Sequence, residues 1–163
     1  RALTIAHRRK HGLAPLPTPV EAPVAPRDHR PLRILVVEDS LDNQLLVKAY
    51  LKGMPYKVDL ADNGRIACDM VTVGRYDLVL MDINMPVMDG YTAIVTIREW
   101  EQKQGIPPTP ILALTAYVHA EEKRRIQATG CNGHLAKPIK KAVLLEAILR
   151  STGAAGRHEK DVA

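Results

Sequence analysis

Five side chains of this 163-residue chain fall at positions where they could transfer a phosphoryl group: Glu38 and Asp39, Asp82, Thr115, and Lys137 followed by Pro138. Three carboxylates brought together repel one another, and near neutral pH such a cluster requires a cation. All-oxygen donors point to magnesium, which keeps several waters and takes one or two protein carboxylates. Asp82 can then act as a nucleophile toward phosphorus, giving an acyl phosphate. The transferred group carries charge on its equatorial oxygens, and a point charge from Lys137 with a hydroxyl donor from Thr115 would balance it. Singly each residue is unremarkable, since an Asp ending an apolar run usually caps a helix or makes a turn. Their order along the chain is what carries the reading.

Each of these residues stands where an apolar segment stops. Ile34 to Val37, Leu78 to Met81, Ile111 to Leu114 and His134 to Ala136 are short runs bounded by turn or charged residues, and they read as strands. The first three are apolar at consecutive positions, as in strands buried on both faces of a parallel sheet. Val58 to Ala61 adds a fifth. Between them, helical spacing is carried by Leu41, Leu45 and Ala49, by Ile66, Ala67, Met70 and Val71, by Ala93, Ile94 and Ile97, and by Val143, Leu144, Ala147 and Ile148. The alternation predicts an α/β fold of five βα units. In an open parallel sheet the ligand crevice lies outside the carboxyl ends of the strands, so all of the residues named above converge on one edge.

The stretches ILVVEDS (Ile34 to Ser40), LVLMDINMPVMDG (Leu78 to Gly90), ILALTA (Ile111 to Ala116) and AKPI (Ala136 to Ile139) resemble the receiver domain of two-component response regulators. The resemblance covers residues 32–150, and MDINMPVMDG is most similar to receivers fused to sensor histidine kinases. It implies a flavodoxin-like doubly wound five-stranded parallel sheet of order 2-1-3-4-5 with five helices. It also implies that Asp82 is the phosphoacceptor and that Glu38, Asp39, Asp82 and the backbone carbonyl of Asn84 hold Mg2+. Thr115 and Lys137 match the switch hydroxyl and the phosphate-binding lysine, and the bond before Pro138 is expected to be cis, the peptide class in which that isomer costs little.

Two positions depart from common patterns of the family and its rivals. Where receivers often carry a Tyr or Phe that swings inward as the switch hydroxyl reorients, this chain has His134. The plain reading is an imidazole replacing an aromatic ring at the sheet edge; the sharper one is a pH-sensitive readout, since histidine titrates near neutrality. Some aspartate-phosphorylating hydrolases have a second Asp two residues after the nucleophile, where this chain has Asn84. An amide cannot take a proton from attacking water, which predicts a long-lived acyl phosphate. Tyr117, two residues after Thr115, would overhang the site and slow water entry.

The run His119 to Ala128 reads as a helix with Ile126 as its one large apolar residue, so it buries little. It is either a solvated face or part of the output surface that the resemblance assigns to this helix, the last strand and the last helix. Upstream, residues 14–31 hold six of the twelve prolines and read as a semi-rigid tether. Residues 1–13, which begin with Arg1, look like the cut end of an upstream module or a remnant of recombinant expression. Residues 151–163 are expected to form a frayed tail.

The basic balance is easily overread. Residues 1–31 contain six Lys or Arg and two Asp or Glu, which supplies +4 of the total +5, so no basic stripe suited to nucleic acid is expected on the folded part. Cys68 and Cys131 lack metal-ligand spacing and read as free thiols of a reducing interior, and no stretch approaches the ~18 apolar residues of a membrane span. The fragment is therefore expected to be cytoplasmic, within a parent chain that could be anchored in the inner membrane.

The leading expectation is a phosphoacceptor module that takes phosphate from a phosphohistidine. Its partners by resemblance are a histidine kinase domain, expected in the same polypeptide, and a histidine phosphotransfer domain; the resemblance also allows a weak homodimer. The receiver would assist its own phosphorylation and dephosphorylation, while the parent chain would be the kinase. The rivals are an aspartate-dependent phosphohydrolase, which would turn over generic phosphate esters, and a non-phosphorylated interaction module, which would bind partners without magnesium.

Overall fold

The computed structural model describes residues 30–153. Strands and helices alternate without exception as β1 (Leu32–Val37), α1 (Leu41–Leu51), β2 (Tyr56–Ala61), α2 (Gly64–Val73), β3 (Leu78–Asp82), α3 (Gly90–Gln104), β4 (Ile111–Thr115), α4 (Ala120–Ala128), β5 (Gly133–Ala136) and α5 (Lys141–Thr152). All four strand pairings are parallel, in the order β2-β1-β3-β4-β5. The expected flavodoxin-like sheet is thus present. The three expected segments on residues 1–13, 14–31 and 151–163 fall almost wholly outside the described residues. Of the last, α5 takes in Ser151 and Thr152, so the helix ends two residues beyond the expected boundary.

Why consecutive apolar runs form the central strands is visible in their burial: every residue of β3 and β4 is buried. Alternate side chains serve opposite faces. Leu35, Val37, Val79 and Met81 join Ala67 and Val71 of α2 and Ile94 and Ile97 of α3 in one cluster. Ile34, Val36, Leu78 and Leu80 join Val47 and Leu51 of α1 and Leu144 and Ile148 of α5 in the other. A strand serving two apolar layers cannot alternate with polar residues, which is the pattern of a buried parallel sheet.

The apolar residues whose spacing marks α1 are not the ones it buries. In α1 the buried residues are Gln44, Val47 and Leu51, whereas Leu41, Leu45 and Ala49 lie exposed. Leu41 is 65% exposed and Leu45 53%. The helix is rotated so that Gln44 can reach polar atoms at the sheet edge, and a hydrogen-bonded buried amide is tolerated where an unpaired one is not. Ile66 and Val143, also among the residues whose spacing marks helices, are partly exposed.

Three of the five helices begin with side-chain caps. Ser40, Asn63 and Asp89 precede α1, α2 and α3 and accept hydrogen bonds from the amides of Asn43, Ile66 and Thr92. Such caps satisfy otherwise orphaned amides and fix where each loop ends. His119 and Lys140, which precede α4 and α5, make no side-chain cap.

Candidate functional site

Four strand ends deliver the chemistry. Asp82 and Thr115 are the final residues of β3 and β4, Glu38 follows β1 directly, and Lys137 follows β5. Parallel register brings these ends to one edge: Val37 pairs with Met81, Asp82 with Leu114 and Thr115 with Ala136. Glu38, Asp82 and Thr115 are buried, while Asp39 is exposed. Carboxylate oxygens of Glu38, Asp39 and Asp82 lie within 4.8 Å of one another.

Lys137 reaches into this cluster from the last strand. Its Nζ stands 2.8 Å from Oε2 of Glu38 and 2.9 Å from Oδ2 of Asp82. Its own amide donates to the Thr115 carbonyl at 2.8 Å, and the peptide to Pro138 is cis, as expected. The second oxygen of each acid is also occupied: Oε1 of Glu38 accepts from the Ser40 amide at 3.2 Å, and Oδ1 of Asp82 accepts from the Asn84 amide at 3.2 Å.

These contacts set the proton affinities. Burial raises that of Glu38, but the hydrogen bond and charge of Lys137, with the Ser40 amide, more than offset it, so the carboxyl sits below its ordinary value. For Asp82 burial wins, helped by the charge of Glu38, and the group sits above its ordinary value despite Lys137. Burial works against the Lys137 ammonium too, yet its bonds to Glu38 and Asp82 hold it above the usual lysine value. One cation thus serves two buried acids, and Asp82 is the less satisfied of them.

The remaining expected residues fall around this core. Asn84 is exposed beside Asp82. The Thr115 hydroxyl donates to the Tyr117 carbonyl at 3.1 Å and its oxygen accepts from the Tyr117 amide at 3.1 Å, which folds the β4–α4 connection back on the strand end. Tyr117 is 56% exposed. His134 is half-buried in β5 opposite Ala113, two residues back from the edge.

Two supports were not anticipated from sequence. Gln44 donates from Nε2 to the Glu38 carbonyl at 2.7 Å and to Oδ1 of Asp62 at 2.8 Å, so α1 clamps the acidic loop from behind. At Gly90 an added Cβ would collide with the carbonyl oxygen of Asp82 and lie 2.8 Å from Cα of Ile83, so α3 starts directly against the acceptor's backbone. In sequence Gly90 only closes the MDINMPVMDG motif; its packing role comes from the approach of α3 to β3.

The family model for the response regulator receiver domain matches residues 34–149. This chain belongs to the response regulator receiver family. Within two-component and phosphorelay systems, receivers of this kind are found in hybrid sensor histidine kinases. The receiver is similar to the sensor histidine kinase GacS of Pseudomonas protegens, with 38% identity over 153 residues, 92% of this chain and 17% of the relative. It therefore spans a small part of the relatives it matches. It is also similar to the receiver domain of the sensor histidine kinase PA1611 of Pseudomonas aeruginosa, solved with a magnesium ion coordinated in its active-site cleft. There the identity is 38%, the TM-score 0.68, and the match covers 75% of this chain and 98% of that one. A third likeness, at 30% identity and TM-score 0.73, is to the co-crystal structure of the Saccharomyces cerevisiae phosphotransfer protein Ypd1 with the receiver domain of Ssk1, covering 76% of this chain and 90% of that one. Among the described residues of the receiver no helix is long and apolar enough to cross a membrane.

Proposed function

We propose that this receiver accepts a phosphoryl group from a phosphohistidine onto Asp82. The observation that carries the reading is the bridging of Glu38 and Asp82 by Lys137, at 2.8 and 2.9 Å, beside the exposed carboxylate of Asp39. An oxygen of Asp82 attacks phosphorus as the P–N bond to imidazole breaks, and the pair of electrons leaves with the histidine. Lys137 then pairs with a phosphoryl oxygen, and the Thr115 hydroxyl, once it leaves the Tyr117 carbonyl, donates to another.

The donor set fits magnesium: three carboxylates with oxygens within 4.8 Å, two of them buried. Glu38, Asp39 and Asp82, with the Asn84 backbone carbonyl, would hold the ion. When bound it supplies the positive charge that lets an anionic donor approach an acidic pocket. The test is the intact mass of the chain after incubation with magnesium and a small acyl-phosphate donor, beside Asp82→Asn and a magnesium-free control. A gain of one phosphoryl group that is absent in both controls is expected; an equal gain in Asp82→Asn would sink the assignment.

We infer that the donor is a histidine kinase domain of the same polypeptide or a histidine phosphotransfer domain. Leu41, Leu45 and Leu46 form an exposed apolar strip on α1, which starts at the acidic loop, and such a strip beside a reactive group marks an interaction site.

A further inference from the structure

The contact between α3 and α4 is split between a firm end and a polar end. At the firm end Ile126 is fully buried, and Arg98 of α3 donates to the Gly130 carbonyl at 2.9 Å and to Oδ1 of Asn132 at 3.0 Å, while its Nη1 pairs with Glu101 at 2.7 Å. At the other end, two helical turns back along the same face of α3, Tyr91 donates its hydroxyl to Oε1 of Glu122, and the Arg125 guanidinium lies 3.9 Å from the centre of its ring. Ile126 is the one buried residue of α4, and its first turn has no side-chain cap. The Tyr91 cluster is consequently what ties the front half of α4 to the domain.

That front half is joined by a short connection to Thr115. The hydroxyl needed by a phosphoryl group on Asp82 is engaged with the Tyr117 carbonyl, and Tyr117 can move only as far as its connection, held between β4 and α4, allows. We propose that Tyr91 is a positioning residue that latches α4 in its resting place, so that releasing the Thr115 hydroxyl toward a phosphoryl group requires breaking the Tyr91–Glu122 hydrogen bond and the Arg125 stack. Arg98 and Ile126 serve as the pivot. The inference rests on Asp82 as the acceptor and adds what restrains its switch. The phenol is pushed up to about 12 by burial and by its bond to Glu122, so it remains a donor across the physiological range. A latch of this kind biases two arrangements without touching the reacting atoms.

The experiment compares the full chain with Tyr91→Phe, Glu122→Ala, Glu122→Gln and the Tyr91→Phe/Glu122→Ala pair. Two signals are read: hydrogen exchange of residues 120–128 without phosphate donor, and the rate of mass gain with magnesium and a small acyl phosphate. Tyr91→Phe keeps the ring under Arg125 and loses only the hydroxyl. It should speed both exchange in α4 and phosphoryl uptake by roughly threefold to tenfold, the range a single net hydrogen bond allows. Glu122→Ala should do the same, the pair should add little beyond either change, and Glu122→Gln, which retains an acceptor, should stay near the parent. A merely structural tie would loosen α4 without altering uptake, and that result overturns the proposal, as does unchanged exchange in Tyr91→Phe. Failure of the parent to gain mass from either the acyl phosphate or a phosphorylated histidine kinase overturns the acceptor reading instead, while α4 exchange is still read without any donor.

Discussion

Lys137 is the only cation bonded to the buried pair Glu38 and Asp82 among the described residues, and it touches both, at 2.8 and 2.9 Å. Lys137→Met removes that charge from between two acids that remain buried. Breaking a buried ion pair from one side costs several kcal/mol, and with Lys137 itself partly open to water a loss of about 2 kcal/mol at pH 7.5 is expected in urea unfolding. The sign with pH reverses. In the parent, Glu38 sits below its ordinary value, so its contribution is present above the unfolded carboxylate value and is lost as pH falls. In the variant, unrelieved repulsion raises both acids, so stability is best at low pH and drops as pH rises through the unfolded value. The variant should thus lie nearer the parent at pH 4.5 than at pH 7.5.

Asp82 sits on the other side of that balance. Its carboxyl is held above the ordinary value by burial and by Glu38, which means the folded state disfavours its ionised form. A group raised in this way adds stability below its unfolded value and withdraws it as pH rises. Asp82→Asn should therefore melt higher than the parent at pH 7.5 without magnesium, with the gap closing as pH falls and wild-type Asp82 takes up its proton. Scanning calorimetry at both pH values checks this.

Gly90→Ala tests how closely α3 packs on the acceptor. The new methyl would meet the Asp82 carbonyl oxygen and the Ile83 Cα, both backbone atoms with no rotamer to yield. Overpacking of this kind costs typically ~1 to 3 kcal/mol, and the upper end is expected in chemical denaturation because neither neighbour can turn away. Since relief requires β3 to move relative to α3, phosphoryl uptake should fall together with stability.

How much of this was legible depended on where the information lies. Strand ends were readable because a doubly buried strand must be apolar throughout, and Glu38, Asp82 and Thr115 interrupt such runs, whereas Lys137 follows the partly buried β5 and is marked by its Lys-Pro pair. The orientation of α1 was not. Leu41, Leu45 and Ala49 have the spacing that marks the helix, yet they are exposed while Gln44 is buried. Spacing identifies a face that could be covered, but not whether this domain covers it. The contact of Tyr91 with Glu122, 31 residues away, likewise arises from helix packing and leaves no local pattern.

Gln44→Ala follows from that reversal. It would leave the Glu38 carbonyl and Asp62 without their shared donor. A buried acceptor stripped of its partner costs about 1 to 3 kcal/mol. A fall of that size in urea unfolding is expected, with a weaker melting shift on adding magnesium, because the loop bearing Glu38 and Asp39 loses its rear support.

The same rotation of α1 separates chemistry from recognition. If the exposed Leu41, Leu45 and Leu46 strip docks the phosphohistidine partner, an acidic side chain there should damage transfer without damaging the site. Leu45 is 53% exposed and absent from both core clusters, so Leu45→Asp should change stability by no more than ~0.5 kcal/mol. Uptake from a small acyl phosphate needs only the acidic cluster and Lys137, and should match the parent. Uptake from a phosphorylated histidine kinase requires docking, and a buried apolar anchor replaced by a charge should slow it by at least about tenfold. Equal slowing with both donors would place the defect in the site and remove α1 as the docking face. No slowing with the kinase would mean that the strip is covered by something other than the phosphohistidine donor.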